Sequence, residues 1–505
     1  MSDRSALTRR DFVAGASAFM AGARAWAGSP AAGVALTDLS AAEAVARMRR
    51  GELTSEAYAQ ALLDRCASMK ALNAFITLEP DRVLRDARAA DQLRAKGGKL
   101  GPLHGLPIPI KDSLNTRDYP TTVGTPALRH FRPADDAPLV AQLKSAGAIV
   151  LGKTNLHELA YGWTSNNHAF GAVHNPYDPS RIPGGSSGGT AAAVAAHMAP
   201  LGVAADTEGS IRVPAALCGL VGFRPTTGRY SQEGLAPITP LFDEAGPHAR
   251  NMQDIELFDS VATGDHGSPA VPELKAVRLA VYRGYYFEGL DPEVARVTEA
   301  ALAKLKGAGV TIVETEIPEL AELIARVTGP VQYHDTEPTL RAYLAKYRAG
   351  VTFEQMVAAA SDDIRATFGQ YVLPGGRDVV SDAAYRKIVD QDLPHLRAVL
   401  RDTFERTKTA ALVFPTTLTT APKIGDEGML SFGGRKVAFD VAMSRNIDPG
   451  STAGLPGLVM PVGLAANGLP VSLEFDGPAG SDRALLGLGT AVERVLGREP
   501  PPRIR

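Results

Sequence analysis

From Ile182 to Thr190 the chain reads Ile-Pro-Gly-Gly-Ser-Ser-Gly-Gly-Thr, and a run of small residues from Ala191 to Ala196 follows at once. Four glycines around two serines let backbone amides and hydroxyls come close to a bound group, while the Ala-rich run packs tightly as a helix. A phosphate-cradling loop needs a Gly-Lys-Ser/Thr ending, which is absent here. Gly185-Ser186-Ser187-Gly188-Gly189 also satisfies G-x-S-x-G by spelling. That nucleophile elbow requires a strand before it, and Asn175-Pro176-Tyr177-Asp178-Pro179 does not read as one. Taken alone, the loop is equally a flexible surface turn.

The rest of the chain decides what the loop serves. With 505 residues, 45% of them hydrophobic, it can bury a large core, so a folded globular enzyme is expected rather than a scaffold. Lys plus Arg total 53 against 55 Asp plus Glu, which leaves no surplus to draw in nucleic acid and favours a small neutral partner. Cys66 and Cys218 are the only cysteines. They give no disulfide framework and no CxxC or CxxH pair of the kind that holds zinc.

Thr8-Arg9-Arg10-Asp11-Phe12-Val13 precedes an apolar, Ala-rich stretch ending at Ala25-Trp26-Ala27. This predicts a twin-arginine signal peptide over residues 1–27 and a periplasmic mature chain. The apolar run is too short for a permanent membrane anchor. Ser40 to Glu43 has capping-box spacing and opens a helix to about Arg50; a second runs from Thr54-Ser55 to about Met69, and a charged third from Pro80 to Lys96. Ala148 to Leu151 reads as a buried strand. Val277 to Val281, Pro292 to Ala308 and Val310 to Val313 alternate strand, helix, strand. The stretch 317–410 carries helix formers and no Gly-rich motif, and is expected to be a helical excursion roofing part of a site. No linker divides residues 28–505, which are expected to form one α/β domain.

Two further segments accompany the Gly/Ser loop. Asp206-Thr207-Glu208-Gly209-Ser210-Ile211-Arg212-Val213-Pro214 puts Ser210 24 positions after Ser186, and Gly101 to Asp112 puts Lys111 75 positions before it. Together the three segments resemble the amidase signature family. The likeness extends through Gly152-Lys153-Thr154-Asn155, Phe170 to Pro176, Ala453 to Gly457 and Gly468-Leu469-Pro470. The run Pro214 to Thr226 looks most like the arylacetamide-type members, the indoleacetamide and mandelamide hydrolases.

The resemblance implies a single amidase-signature domain, a mixed β-sheet core sandwiched between helices, and an amidase that needs no metal or organic cofactor. It implies a Ser/cis-Ser/Lys triad: Ser210 as nucleophile, Ser186 on a cis peptide bond as proton relay, and Lys111 as base. An amide is a poor electrophile, so the hydroxyl needs both a base and donors for the developing oxyanion. Burial can depress a lysine pKa by several units, and Leu106 to Ile110 supplies an apolar neighbourhood. The oxyanion donors implied are the backbone N–H groups of Thr207, Glu208, Gly209 and Ser210. Glu208 stands where glycine is commonest, and a carboxylate pointing inward would oppose an oxyanion. It is expected to point away from the pocket or to pair with a cation.

Ser187 and Arg212 are expected to be structural supports, the first bonding loop backbone and the second an ion-pair partner. His157, His168 and His174 lie near the motifs but show no acidic orienting partner in the sequence. Cys218, in an apolar run, reads as core. The expected ligand is a small carboxamide, with arylalkyl amides first, and a homodimer is compatible with this reading. Two rivals share the fold: a glutamine amidotransferase-like subunit, against which the export signal argues, and a catalytically silent binding protein.

Overall fold

The computed structural model describes residues 35–502; the leader over residues 1–27 lies outside them. Ser40 closes its capping box with Glu43 and starts the helix Ala41–Arg50, which stops at Gly51 (φ 74°). Thr54 caps Ser55–Ser68, and Pro80, whose missing N–H costs nothing in a first turn, opens Pro80–Ala95.

Eleven strands form one mixed sheet: β1 (Phe75–Leu78), β2 (Pro107–Lys111), β3 (Ile149–Thr154), β4 (Leu201–Asp206), β5 (Val221–Arg224), β6 (Glu244–Ala249), β7 (Arg278–Val281), β8 (Thr311–Glu314), β9 (Ala411–Pro415), β10 (Gly457–Leu464) and β11 (Pro470–Asp476), in the spatial order β1-β3-β2-β4-β6-β5-β10-β11-β9-β7-β8. The pairs β3–β2, β2–β4, β9–β7 and β7–β8 are parallel. The others are antiparallel. Helices Pro80–Ala95, Met252–Thr263, Pro292–Gly307 and Asp482–Leu496 pack against the strands. The domain is thus the α/β sandwich expected from the sequence.

The central strands are apolar on both faces, as parallel strands covered by helices must be. Val150 joins an apolar cluster with Ile108, Ile110, Leu201 and Val203. Its neighbours Ile149 and Leu151 join another with Val83, Ala192 and Ala193. This alternation also governs Lys111, which follows Ile110 at the end of β2 and points to the opposite face, toward the helix Gly188–Ala195. Two prolines in β2 remove ladder donors, which ordinarily excludes a strand from a sheet centre. Here the register with β3 shifts between Ile108 and Pro109, and β2 meets β4 through Ile110 and Val203.

All eight residues of Gly188–Ala195 are buried. The helix lies so close to the chain around Asn155 that a Cβ on Gly189 would collide with the Asn155 and Ala74 carbonyls. Small side chains are therefore what allow this helix to carry the Gly/Ser loop down onto the sheet. Between β8 and β9 the chain is helical: Leu320–Lys346, Phe353–Ala359, Asp362–Tyr371, Asp382–Lys387 and Leu393–Thr407. Gln332, Tyr333 and Thr367 from this stretch reach the cavity described next.

Candidate active site

Lys111 is fully buried, and its Nζ lies 2.7 Å from Ser186 Oγ and 3.2 Å from the Ala205 carbonyl. Its neighbour on β3, Lys153, provides a contrast. Lys153 is equally buried, but Asp112 stands 2.9 Å away, and the Leu114 and Pro120 carbonyls and the Thr121 hydroxyl also lie within hydrogen-bond distance of its Nζ. Among the described residues, no carboxylate lies within ion-pair distance of Lys111. Burial pulls its pKa down to about 7, with the more distant Asp206 and Asp243 carboxylates opposing the shift. A lysine so placed can be neutral near neutral pH, and its lone pair then faces a serine hydroxyl.

The Gly185–Ser186 peptide bond is cis. Gly184 before it adopts φ 85°, and a Cβ there would press on Pro214 at 2.7 Å. The Ser186 carbonyl accepts from the His157 N–H (3.1 Å) and the Ser165 hydroxyl (3.2 Å). Ser165 Oγ in turn accepts from the Gly188 N–H at 3.0 Å, tying the loop to the start of its helix. Ser187 donates to the Ala205 carbonyl at 3.0 Å, the oxygen that Lys111 also contacts. Its N–H donates to the Ser210 carbonyl at 3.3 Å, which holds the turn bearing Ser210 against the loop bearing Ser186.

That turn is organised by one residue to which sequence reasoning assigned no role. Asp206, at the end of β4, accepts from the backbone N–H groups of Gly209 (2.8 Å) and Ile211 (2.9 Å), and its carboxylate meets the guanidinium of Arg212 at 3.1 Å and that of Arg224 at 3.2 Å. Burial alone would raise the Asp206 pKa, but Arg212 and then Arg224 overcome it and hold the carboxyl well below its usual range. Arg212 is itself fully buried and also donates to Glu474 (2.7 Å), the Ile447 carbonyl (3.3 Å) and Ser451 Oγ. The signal for Asp206 was its place four residues before Ser210 at the end of an apolar strand.

Two expectations are corrected here. Gly209, expected to offer its N–H to an oxyanion, has already given it to Asp206. The N–H groups of Thr207, Glu208 and Ser210 carry no hydrogen bond among the described residues. Glu208 neither turns away nor pairs with a cation. It lines the same cavity as Ser210, of about 120 Å³, together with Tyr161, Trp163, Thr207, Ile238, Gln332 and Tyr333. Burial and then the Asp448 carboxyl push the Glu208 pKa well above the carboxylate range, with the Gln332 side chain pulling the other way. Both upward influences favour the uncharged carboxyl over the carboxylate and so lessen the negative charge beside the cavity.

The histidines are spent elsewhere. His157 does have an acidic neighbour that the sequence concealed, Asp363 at 3.4 Å from Nε2, but its Nδ1 contacts Thr164 Oγ1 at 3.0 Å and no serine. His174 contacts the Pro179 carbonyl, and His168 is an exposed side chain 3.8 Å from Asp363. Cys218 is buried with its thiol toward the Pro183 carbonyl, and burial raises its pKa, so it is no nucleophile. Among the described residues no cluster of three His, Cys, Asp or Glu side chains could hold a metal, and no helix is long and apolar enough to cross a membrane.

Comparison with known proteins settles the family. The family model described as Amidase matches residues 57–486. The chain belongs to the amidase family. It is 39% identical over 481 residues to a mandelamide hydrolase of Pseudomonas putida, covering 92% of this chain and 93% of that one. It is 37% identical over 458 residues to an indoleacetamide hydrolase of Agrobacterium vitis, covering 90% and 97%. Among solved structures, the peptide amidase from Stenotrophomonas maltophilia superposes with a TM-score of 0.77 at 30% identity, covering 92% of this chain and 99% of that one. This amidase is thus a hydrolase acting on amides.

Proposed function

We propose that this amidase cleaves a small arylalkyl carboxamide through an acyl-enzyme on Ser210, with Ser186 relaying the proton and neutral Lys111 as the base. The observation that carries this reading is the 2.7 Å contact between Lys111 Nζ and Ser186 Oγ in a buried site without a neighbouring carboxylate. As Ser210 Oγ attacks the carbonyl carbon, its proton passes to Ser186 while the Ser186 proton passes to Lys111. The carbonyl oxygen gains the negative charge and is received by the free N–H groups of Thr207, Glu208 and Ser210. Collapse of the tetrahedral species breaks the C–N bond, and the proton returns from Lys111 through Ser186 to the departing nitrogen. The emptied site admits water, which the same relay activates to release the carboxylate. Ser187 and Arg212 act as supports, the first on the Ala205 carbonyl and the second on Asp206.

The aryl preference is supported by the mandelamide and indoleacetamide hydrolases among the relatives and by a cavity walled by Tyr161, Trp163 and Tyr333. These relatives favour a free-standing amidase over an amidotransferase subunit. The Arg9-Arg10 pair and the Ala25-Trp26-Ala27 site support export by the twin-arginine route and action in the periplasm. The experiment is ammonia release from a panel of primary amides. Turnover of phenylacetamide or indole-3-acetamide well above that of acetamide supports the reading, and no turnover of any aryl amide refutes it.

A pH dependence follows from Lys111. The base works only when deprotonated, and its neutral fraction grows as pH rises through about 7. The rate constant kcat/KM is expected to climb about tenfold per pH unit on the acid side, reach half its maximum near neutrality and level off above. A profile that is flat from pH 5 to 9, or falls as pH rises through 7, contradicts Lys111 as the base.

A further inference from the structure

We propose that Glu208 is a specificity-determining residue of the acyl pocket, hydrogen bonding to a neutral hydroxyl that the substrate carries beside its amide carbonyl. This rests on the reading that Ser210 attacks an amide bound in this cavity.

Glu208 and Ser210 lie two positions apart and line one cavity. The backbone between and around them is already fixed: Gly209 and Ile211 donate to Asp206, and Trp163 Nε1 donates to the Glu208 carbonyl at 2.9 Å. The Glu208 carbonyl is therefore taken by Trp163 and its N–H is left to the oxyanion, so the side chain remains for a further partner. That side chain is 8% exposed, and its Oε1 is buried without a hydrogen-bond partner. Among the described residues no Lys, Arg or His forms an ion pair with it. Leaving a buried carboxyl oxygen unpaired is unfavourable, an arrangement that a bound ligand can relieve.

The surroundings select the chemistry of that ligand. Trp163, Ile238 and Tyr333 supply the apolar part of the cavity wall, and Gln332 is an uncharged polar side chain beside Glu208. Asp448, whose pKa burial pushes up to about 7, adds a second carboxyl close by. Burial and this neighbour push Glu208 toward its protonated form, in which it offers one O–H donor and one carbonyl acceptor. A substrate hydroxyl matches both. An anionic substituent would meet two carboxyls, and an ammonium would force Glu208 to ionise in a desolvated site.

Binding, read apart from turnover, tests this. Dissociation constants are measured by calorimetry on the full-length Ser210→Ala protein, using phenylacetamide and 3-phenylpropanamide and the same two amides bearing a hydroxyl on carbon 2. Each hydroxylated amide is expected to bind roughly five- to tenfold tighter than its parent, the worth of one hydrogen bond. Adding Glu208→Leu should erase that preference, whereas Glu208→Gln, which keeps a neutral donor and acceptor in the same shape, should retain most of it. The proposal is overturned if the hydroxyl brings no preference, if no amide binds, if Glu208→Leu keeps the preference, or if Glu208→Gln loses it as fully as leucine does. A wild-type protein that releases no ammonia while the Ser210→Ala protein still prefers the hydroxyl would overturn the hydrolase reading and leave this inference standing.

Discussion

Replacing Ser210 by alanine is expected to lower kcat/KM for an aryl amide by roughly 10³- to 10⁶-fold, and Lys111→Ala to do nearly the same. The two losses have different causes. Without Ser210 there is no acyl-enzyme, and the residual rate is what water achieves in a cavity that still offers the backbone N–H groups of positions 207, 208 and 210. Without Lys111 the Ser186 hydroxyl loses the partner 2.7 Å away, so a proton leaving Ser210 has nowhere to go. Because both residues serve one relay, the double variant should be about as slow as either single one. Lys111→Arg separates charge from basicity: a guanidinium cannot be deprotonated in a protein, so it keeps a cation at the site and supplies no base. It should be as inactive as Lys111→Ala in an ammonia-release assay. A lysine variant that keeps more than about a tenth of the activity contradicts the relay.

The second large effect falls on stability. Arg212 is fully buried between Asp206 and Glu474. Arg212→Ala removes one partner from each carboxylate and leaves a hole where its guanidinium packed. Arg224 still reaches Asp206, but Glu474 loses its cation and stands beside Asp476, whose carboxyl oxygens already lack hydrogen-bond partners. Removing one member of a buried charged cluster typically costs about 3–5 kcal/mol, and that loss is expected here in denaturant unfolding. Activity should fall in the protein that still folds, since Asp206 aims the turn carrying Ser210. A destabilisation below about 1 kcal/mol would show that Arg212 bears little of this load.

The sequence made some of this legible and hid the rest for physical reasons. Lys111, Ser186 and Ser210 could be named because their three segments, with their joint spacing, resemble the amidase signature family. The Ala-rich run after the Gly/Ser loop had to be small because the helix Gly188–Ala195 presses on the backbone of Asn155. The strand β2 was not read from the sequence, since its two prolines argue against one; its alternation is what turns Lys111 away from Ile110.

The far wall of the cavity was not readable. Gln332, Tyr333 and Thr367 come from helices more than a hundred residues beyond Ser210, and nothing local to them signals a site. The helix Leu320–Lys346 even runs through Pro330 and Pro338, residues that local rules would use to end it. His157 shows the same limit: its acidic neighbour, Asp363, is supplied by that distant stretch. Glu208 was misread because Gln332 and Tyr333, which share its cavity, are distant in sequence, and Gly209 because a turn sequence does not say which N–H an upstream carboxylate will take. Asp206 took that of Gly209.

The central claim is that Ser210 is an activated nucleophile. It is tested most directly by treating the protein with a fluorophosphonate at pH 8 and mapping the modified peptide by mass spectrometry. The account predicts a single adduct on Ser210 in the wild-type protein and none on that residue when Lys111 is alanine. An adduct on another residue, or no adduct in a protein that is folded and soluble, would contradict it.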